Sequence, residues 1–264
     1  MQKPFAITSA HNALLKEVRR AAGRGVLTPS GLCVAEGFHL LEEALRSGLA
    51  VETVLAAEDA VQAVMERTGG RMEPRRCAVL PRALLEQTAA SEHPQGVIAL
   101  VRPPVWQPQE VFRRGGGPVV VLDRLQDPGN AGAVARAAEA FGAGGMVWLK
   151  GTVSRWNAKT LRASAGSLFR LPVIECSGAE EAAALLRERG LAVLVAAPRG
   201  GAAPWEIDWR EHCAVVIGNE ARGAGEEWAG AGRVRIPTAG VESLNAAAAA
   251  AVILYEAMRQ RGAP

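Results

Sequence analysis

The run Val119-Val-Val-Leu122 constrains the fold more than any other stretch of the chain. A strand that is apolar at every position has to bury both of its faces, and parallel sheets sandwiched between helices provide that burial. The run empties into Asp123-Arg-Leu-Gln-Asp-Pro-Gly-Asn-Ala-Gly132, after which Ala133–Phe141 reads as a helix. Met146–Leu149, Leu191–Ala196 and Ala214–Ile217 are further strands of the same kind, and Val234–Ile236 is a shorter one. Ala214–Ile217 runs into Gly218-Asn-Glu-Ala-Arg-Gly223, and Val234–Ile236 leads to Pro237-Thr-Ala-Gly-Val-Glu-Ser-Leu-Asn245. Open α/β sheets bind ligands at loops leaving the C-terminal ends of their strands. Three such junctions each deliver Asn and Gly, and together they hold Arg136, Glu220 and Ser243. That is a candidate site.

The last junction is the most defined locally. Pro237 fixes one φ angle and Gly240 permits a positive one. Ser243 and Asn245 both suit a helix start, and six alanines, Ala246–Ala251, follow. Small side chains there allow a ligand close approach, although plain helix packing is the alternative. Arg136 stands out within a segment that is otherwise almost all small or apolar, so its guanidinium needs solvent, an anion or a reaction. A snorkelling surface arginine is the other reading.

Several function classes fall away. Gly129 and Gly132 match a G-x-G-x-x-G dinucleotide fingerprint poorly, and no acidic residue follows at the required distance. The four cysteines and four histidines show no ligand spacing, so neither a metal nor a disulfide framework is expected, and a reducing cytoplasm fits. The start Met-Gln-Lys-Pro-Phe-Ala lacks a signal-peptide core, and no apolar run reaches the roughly 18 residues of a membrane span. A net charge of +3 permits an acidic partner without demanding one.

The first hundred residues alternate short strands (Leu32–Ala35, Val51–Ala56, Cys77–Leu80, Val97–Val101) with helices (Phe38–Leu45, Ala60–Arg67, Arg82–Thr88), which describes a smaller α/β domain. It shows no paired carboxylates, nucleophile–base set or phosphate loop. Residues 9–24 form an amphipathic helix, with Ser9 or Asn12 as cap and Lys16, Arg19, Arg20 and Arg24 facing out. Arg71, Arg75, Arg76 and Arg82 make a second basic cluster; Arg155, Lys159, Arg162 and Arg170, with Trp156, make a third. Each suits either a nucleic-acid backbone or a solvated face. Prolines and three consecutive glycines mark residues 103–117 as a linker between residues 1–102 and 118–264.

Asp127-Pro-Gly-Asn130-x-Gly132-x-x-x-Arg136-x-Ala138-x-x-Phe141-Gly142, Ile217-Gly-Asn-Glu-x-x-Gly223 and Ile236-Pro-…-Ser243-Leu-Asn245 resemble, in order, the three motifs of the SpoU/TrmH family of RNA ribose 2′-O-methyltransferases in the SPOUT superfamily. Arg162-Ala-Ser-Ala-Gly166 resembles the segment between the first two motifs. Ser9, Asn12, Lys16 and Val34-Ala-Glu-Gly37 resemble the L30e-like substrate-binding domain carried by many members. The third loop, Pro237 to Ser243, is a residue shorter than the family pattern.

The resemblance implies a SPOUT domain with a parallel sheet and a trefoil knot behind the smaller L30e-like domain. It also implies a homodimer with its active site near the subunit interface, and no metal. S-adenosylmethionine would be held by Ala196, Gly218, Asn219, Ile236, Pro237 and Leu244, largely through backbone groups. Asn130 would orient the ribose, Glu220, Ser243 and Asn245 would complete the site, and Arg136 would be the base or a stabiliser of phosphate and alkoxide. Lys16, Arg19, Arg20, Arg24, Arg155, Lys159 and Arg162 would meet RNA. Ribosomal RNA is favoured over transfer RNA, and a non-catalytic RNA-binding or ribosome-assembly protein is the rival from another class.

Overall fold

The computed structural model describes residues 4–73, 76–113 and 116–262. Of the positions singled out above, Met1–Lys3, Arg75 and Gly115 lie outside these residues. The chain divides into two compact units, 1–104 with 154–169, and 105–153 with 170–264.

In the first unit the strands are β1 (Phe5–Ala6), β2 (Cys33–Glu36), β3 (Val51–Ala57), β4 (Cys77–Leu80) and β5 (Val97–Val101). They form one mixed sheet in the order β1-β4-β3-β5-β2, with β5 antiparallel to both β2 and β3. Helix α1 (Ala13–Arg24) begins at Asn12, whose side chain accepts from the Leu14 amide, and ends at Gly25 in the left-handed conformation. Its apolar stripe, Leu15, Val18, Ala21 and Ala22, packs with Leu55, Leu80, Leu85 and Ile98 in one core. The helices α2 (Phe38–Arg46), α3 (Val61–Thr68) and α4 (Arg82–Glu86) connect the strands.

The division at Pro104 and Val105 has one feature beyond a simple linker. Segment 154–169, from the second half of the sequence, belongs to the first unit. It carries α7 (Ala158–Ser164) and is anchored there by Arg162, whose Nη1 donates to the buried Glu36 at 3.0 Å. Gly166 lies so close to Glu43 that a Cβ would overlap its side chain. The stretch 103–117 itself contains the one-turn helix α5 (Pro108–Val111), where the Gln107 amide donates to Glu110 Oε2 at 2.7 Å.

The second unit has β6 (Gly117–Asp123), β7 (Ala143–Leu149), β8 (Val173–Cys176), β9 (Ala192–Ala196), β10 (Cys213–Gly218) and β11 (Gly232–Val234). All pair in parallel, in the order β11-β9-β10-β6-β7-β8. Strand β6 is buried from Pro118 to Asp123, as its unbroken apolar run requires. Val111, Phe112, Val119, Val121, Ala182 and Leu186 share a core on one face, with α8 (Ala179–Glu188) contributing the last two. Helices α6 (Pro128–Ala140) and α9 (Ala246–Arg261) pack together elsewhere in this unit. No described helix is long and apolar enough to cross a membrane.

Several boundaries differ from the sequence expectation, and two of them matter for the site. Helix α6 starts at Pro128 and not Ala133, because Asp127 caps it through the Asn130 amide and Pro128 occupies the first turn, where its missing N–H is harmless. Strand β11 ends at Val234, two residues before the expected Ile236, so Arg235 and Ile236 already belong to the loop. Sequence periodicity anticipated neither β8 nor α8.

Candidate active site

The sheet order reverses between β6 and β10. From β6 the chain moves outward to β7 and β8, whereas β9, β10 and β11 lie on the opposite side. Open parallel sheets form ligand crevices at such switch points. Register aligns the exits, with Gly218 opposite Asp123 and Val234 opposite Ala196. The polar loops after β6, β10 and β11 therefore leave the sheet side by side.

Asn130, in the first turn of α6, is the hub of a side-chain network. Its Nδ2 donates to Glu220 Oε1 at 3.1 Å, and its Oδ1 accepts from Asn245 Nδ2 at 2.8 Å. One residue from each of the three loops thus meets in a single chain of hydrogen bonds. Asn245 also caps α9, its Oδ1 accepting from the amides of Ala247 (2.9 Å) and Ala248 (3.3 Å). Of the two expected helix-start residues, Asn245 takes the role and Ser243 does not. The Glu220 carboxylate accepts in addition from the backbone amides of Gln126 and Asp127, both at 3.2 Å. Partial burial pushes the Glu220 carboxyl up, but the bonds from Asn130 and from backbone amides outweigh it and hold the group below its ordinary value. Glu220 is an anion at neutral pH.

The loop after β10 is a tight hairpin. The amides of Asn219 and Gly223 exchange bonds with each other's carbonyls at 3.0 and 2.8 Å. Asn219 Oδ1 accepts from the amides of Ala221 and Arg222, and its Nδ2 donates to the Arg124 carbonyl at 2.9 Å. Gly218 is required by close approach, since a Cβ there would overlap the Ala224 nitrogen.

A cleft of about 690 Å³ opens between the loops after β9, β10 and β11. Ala196, Gly218, Asn219, Ile236 and Leu244 line it, as do Glu220, Ser243 and Asn245. Pro237 does not, although it was expected to. Ala196, Ala197, Ala246 and Ala249 keep the walls low, so a ligand can reach backbone groups directly. The size is that of a cofactor pocket.

Arg136 is not part of this cleft. It is exposed, and six residues along α6 place it about 240° around the helix from Asn130. The earlier helix start creates that separation by putting both residues on one helix. Sequence reading also missed Asp123, Arg124 and Gln126. Asp123, almost fully buried at the end of β6, accepts from the Arg124 guanidinium, the Gly225 amide and Trp228 Nε1. An acidic residue closing an apolar strand was the available signal.

The cations expected to meet RNA divide by partner. Lys16, Arg20 and Arg24, spaced at i, i+4 and i+8, form one exposed stripe on α1. Arg19 is half-buried and donates to the Ala10 carbonyl. Lys159 is exposed, Arg155 lies over the Trp156 ring at 4.5 Å, and Arg162 is engaged by Glu36. In the second basic cluster, Arg76 bonds to the Val51 carbonyl and Arg82 pairs with Asp59. Arg170 pairs with Glu139 within the other unit.

Known proteins resemble this chain in sequence and fold. Residues 117–255 match the SpoU rRNA Methylase family, and residues 12–99 match the MRM3-like substrate binding domain. The chain is 33% identical to the 23S rRNA (guanosine(2553)-2′-O)-methyltransferase RlmP of Bacillus subtilis (strain 168), over 94% of this chain and 97% of that protein. It is 35% identical to the 23S rRNA (uridine(2479)-2′-O)-methyltransferase of Streptomyces viridochromogenes, over 70% of this chain and 67% of that one. The crystal structure of the SpoU methyltransferase AviRb from Streptomyces viridochromogenes, in complex with AdoMet, superimposes with a TM-score of 0.86 at 28% identity, covering 96% of this chain and all of that one. The family match over residues 117–255, more than half of the chain, together with the substrate-binding-domain match over residues 12–99, makes this chain a member of the SpoU rRNA methylase family.

Proposed function

We propose that the protein transfers the methyl group of S-adenosylmethionine to a ribose 2′-hydroxyl of structured RNA, with ribosomal RNA the favoured substrate and transfer RNA the alternative. The observation that carries this reading is the Asn245–Asn130–Glu220 network at the wall of a cofactor-sized cleft. S-adenosylmethionine supplies, when bound, an electrophilic methyl group with a good thioether leaving group. The cleft suits it: its low alanine walls expose peptide groups, and Glu220 provides an anion compatible with a sulfonium.

The chain's own residues then have to position the hydroxyl and allow its proton to leave. Asn130 orients the ribose, and Glu220 and Asn245 hold its amide in one orientation. Gly218, Asn219, Ile236 and Leu244 hold the cofactor mainly through backbone groups, with Ala196 and Ser243 lining the wall. A guanidinium is effectively never a base in a protein, which leaves Arg136 to act through its charge and its donors. Its role is to hold an RNA phosphate and stabilise the developing alkoxide, with the proton passing to a phosphate oxygen or to solvent.

That role calls for a second copy of the chain, and we place the enzyme as a homodimer with its active site near the subunit interface. Arg136 on α6 and Val252 and Tyr255 on α9 are exposed on two helices that pack together, and Tyr255 meets Phe141 edge-on at 5.8 Å. Exposed Val and Tyr on adjoining helices suit a protein contact. Residues 1–102, through Lys16, Arg20 and Arg24, and the segment 154–169 that joins their unit, through Arg155 and Lys159, read the RNA in the cytoplasm, and the rest of residues 118–264 transfers the methyl group.

The test is tritiated-methyl transfer to purified ribosomal and transfer RNA, followed by digestion to nucleosides. A labelled 2′-O-methyl nucleoside is expected. Label on a base would overturn the ribose chemistry, and cofactor binding without transfer to either RNA would favour an assembly factor.

A further inference from the structure

A second cavity, of about 1020 Å³, opens beside the cofactor cleft. Strand β10 lies between β9 and β6, so the hairpin after it separates the two spaces. The cleft uses the loops after β9 and β11; the cavity uses the loops after β6 and β7, and both share Asn219, Arg222 and Gly223. We propose that this cavity receives the base of the nucleotide being methylated and favours guanine. The proposal rests on the methyl-transfer reading and names the substrate's base for it.

Gln126 ties the cavity to the site. Its backbone amide donates to Glu220 Oε2, the carboxylate that also holds Asn130. Its side-chain Nε2 donates to the carbonyls of Arg124 (3.0 Å) and Gly151 (2.6 Å), which uses both hydrogens and leaves Oε1 as an acceptor. A base lying against Gln126 would therefore keep its ribose within a few ångströms of Glu220 and Asn130.

The lining discriminates by hydrogen-bond polarity. Arg124 has φ +59°, and its guanidinium is held by the buried Asp123 at 2.8 and 3.2 Å and by Glu227 at 3.6 Å. Its charge is countered within the wall, so the interior does not attract a phosphate. Of the acceptor-bearing residues that line the cavity, Gln126 keeps Oε1 and Glu226 its carboxylate, whereas the Glu227 carboxylate is shared with Arg124. Guanine offers N1–H and N2–H side by side to such groups. Uracil offers one N–H between two carbonyls, and adenine and cytosine each place an acceptor nitrogen beside the amino group, which a carboxylate repels. Arg222, exposed on the shared wall and without an ion pair among the described residues, is placed to meet the flanking phosphate.

Gly225 provides a variant that alters the cavity and leaves the fold. Its φ of −69° suits alanine, but a Cβ there would land on Glu227 Oε2 and Arg124 Nη2, both flexible side-chain ends that would have to swing aside. The experiment titrates the isotope-labelled full chain, saturated with S-adenosylhomocysteine, with each of the four nucleoside 5′-monophosphates while amide resonances are followed. GMP is expected to shift Gly225 and Gln126 at a concentration at least fivefold lower than UMP, AMP or CMP. Gly225→Ala should weaken the GMP response at least tenfold and change S-adenosylhomocysteine affinity less than twofold. Equal responses to all four nucleotides, no response at Gly225 and Gln126, or a GMP response untouched by Gly225→Ala would overturn the assignment. Methyl transfer to ribosomal and transfer RNA by the unaltered chain is measured alongside. Transfer without a GMP response fells the base pocket alone; a GMP response without transfer to ribosomal or transfer RNA fells the methyl-transfer reading, and with it the cavity's role toward a methylated nucleotide, leaving only a guanine site.

Discussion

Replacing Asn130 by Asp keeps the size of the side chain and reverses one interaction. The oxygen that still faces Asn245 Nδ2 remains an acceptor, but the atom 3.1 Å from Glu220 Oε1 changes from a donor to part of a second carboxylate. Two unit charges at that separation repel by about 1.3 kcal/mol at the dielectric of water and by about 5 kcal/mol at an effective value of 20. Glu220 is exposed and Asn130 half-buried, so the lower part of that range applies, about 1–3 kcal/mol. Since each 1.36 kcal/mol is one pKa unit or one decade, the pair should hold a proton about one to two units above the ordinary carboxylate range, and kcat/KM at pH 8 should fall about 10–100-fold. A carboxyl whose folded-state pKa is raised stabilises the fold fully below its unfolded value and loses that stabilisation as pH rises through the folded value. Asn130→Asp should accordingly lose melting temperature between pH 5 and pH 8 relative to the unaltered protein, and recover part of its relative activity near pH 6. The assay is methyl transfer to ribosomal RNA across that pH range, with thermal melts in the same buffers. A variant within twofold of the parent at pH 8, with a parallel pH profile, would refute the network as the organiser of the site.

Further expectations follow from single contacts. Asn245→Ala removes the α9 cap and the bond to Asn130; it should cost about 1 kcal/mol of stability from the cap alone, read by denaturant midpoint, and lower kcat more than the melt shift explains. Gly218→Ala forces a Cβ into Ala224 and should weaken S-adenosylhomocysteine binding at least tenfold by calorimetry, since the hairpin wall has to move. Arg136→Ala should abolish transfer while leaving cofactor affinity within twofold, because Arg136 lies outside the cleft; an equal loss of both would contradict its assignment. In the unaltered protein the Glu220 carboxyl is held below its ordinary value, so its contribution is present above about pH 4.5 and lost as pH falls through the folded-state value. The denaturant midpoint, followed as pH falls below about 4.5, should report that loss.

The sequence by itself determined the parallel sheet, the three loops that hold the site and most of the chemistry within them. An apolar run such as Val119–Leu122 has few ways to bury both faces, and residues such as Gly218 and Asn245 announce local needs, a close approach and a helix cap, that operate over a few positions. The start of α6 was misplaced because the capping Asp127 and the following Pro128 resemble loop residues as well as a first turn. Only the tertiary structure decided which polar groups meet. Asn130, Glu220 and Asn245 are separated by 90 and 115 positions from their partners, and the β6–β10 register brings them together. It likewise assigned Arg162 to Glu36, 126 positions away, and turned Arg136 from the face that carries Asn130. Charge and motif spacing describe what a side chain can do; the strand order and the helix phase fix which partner it reaches.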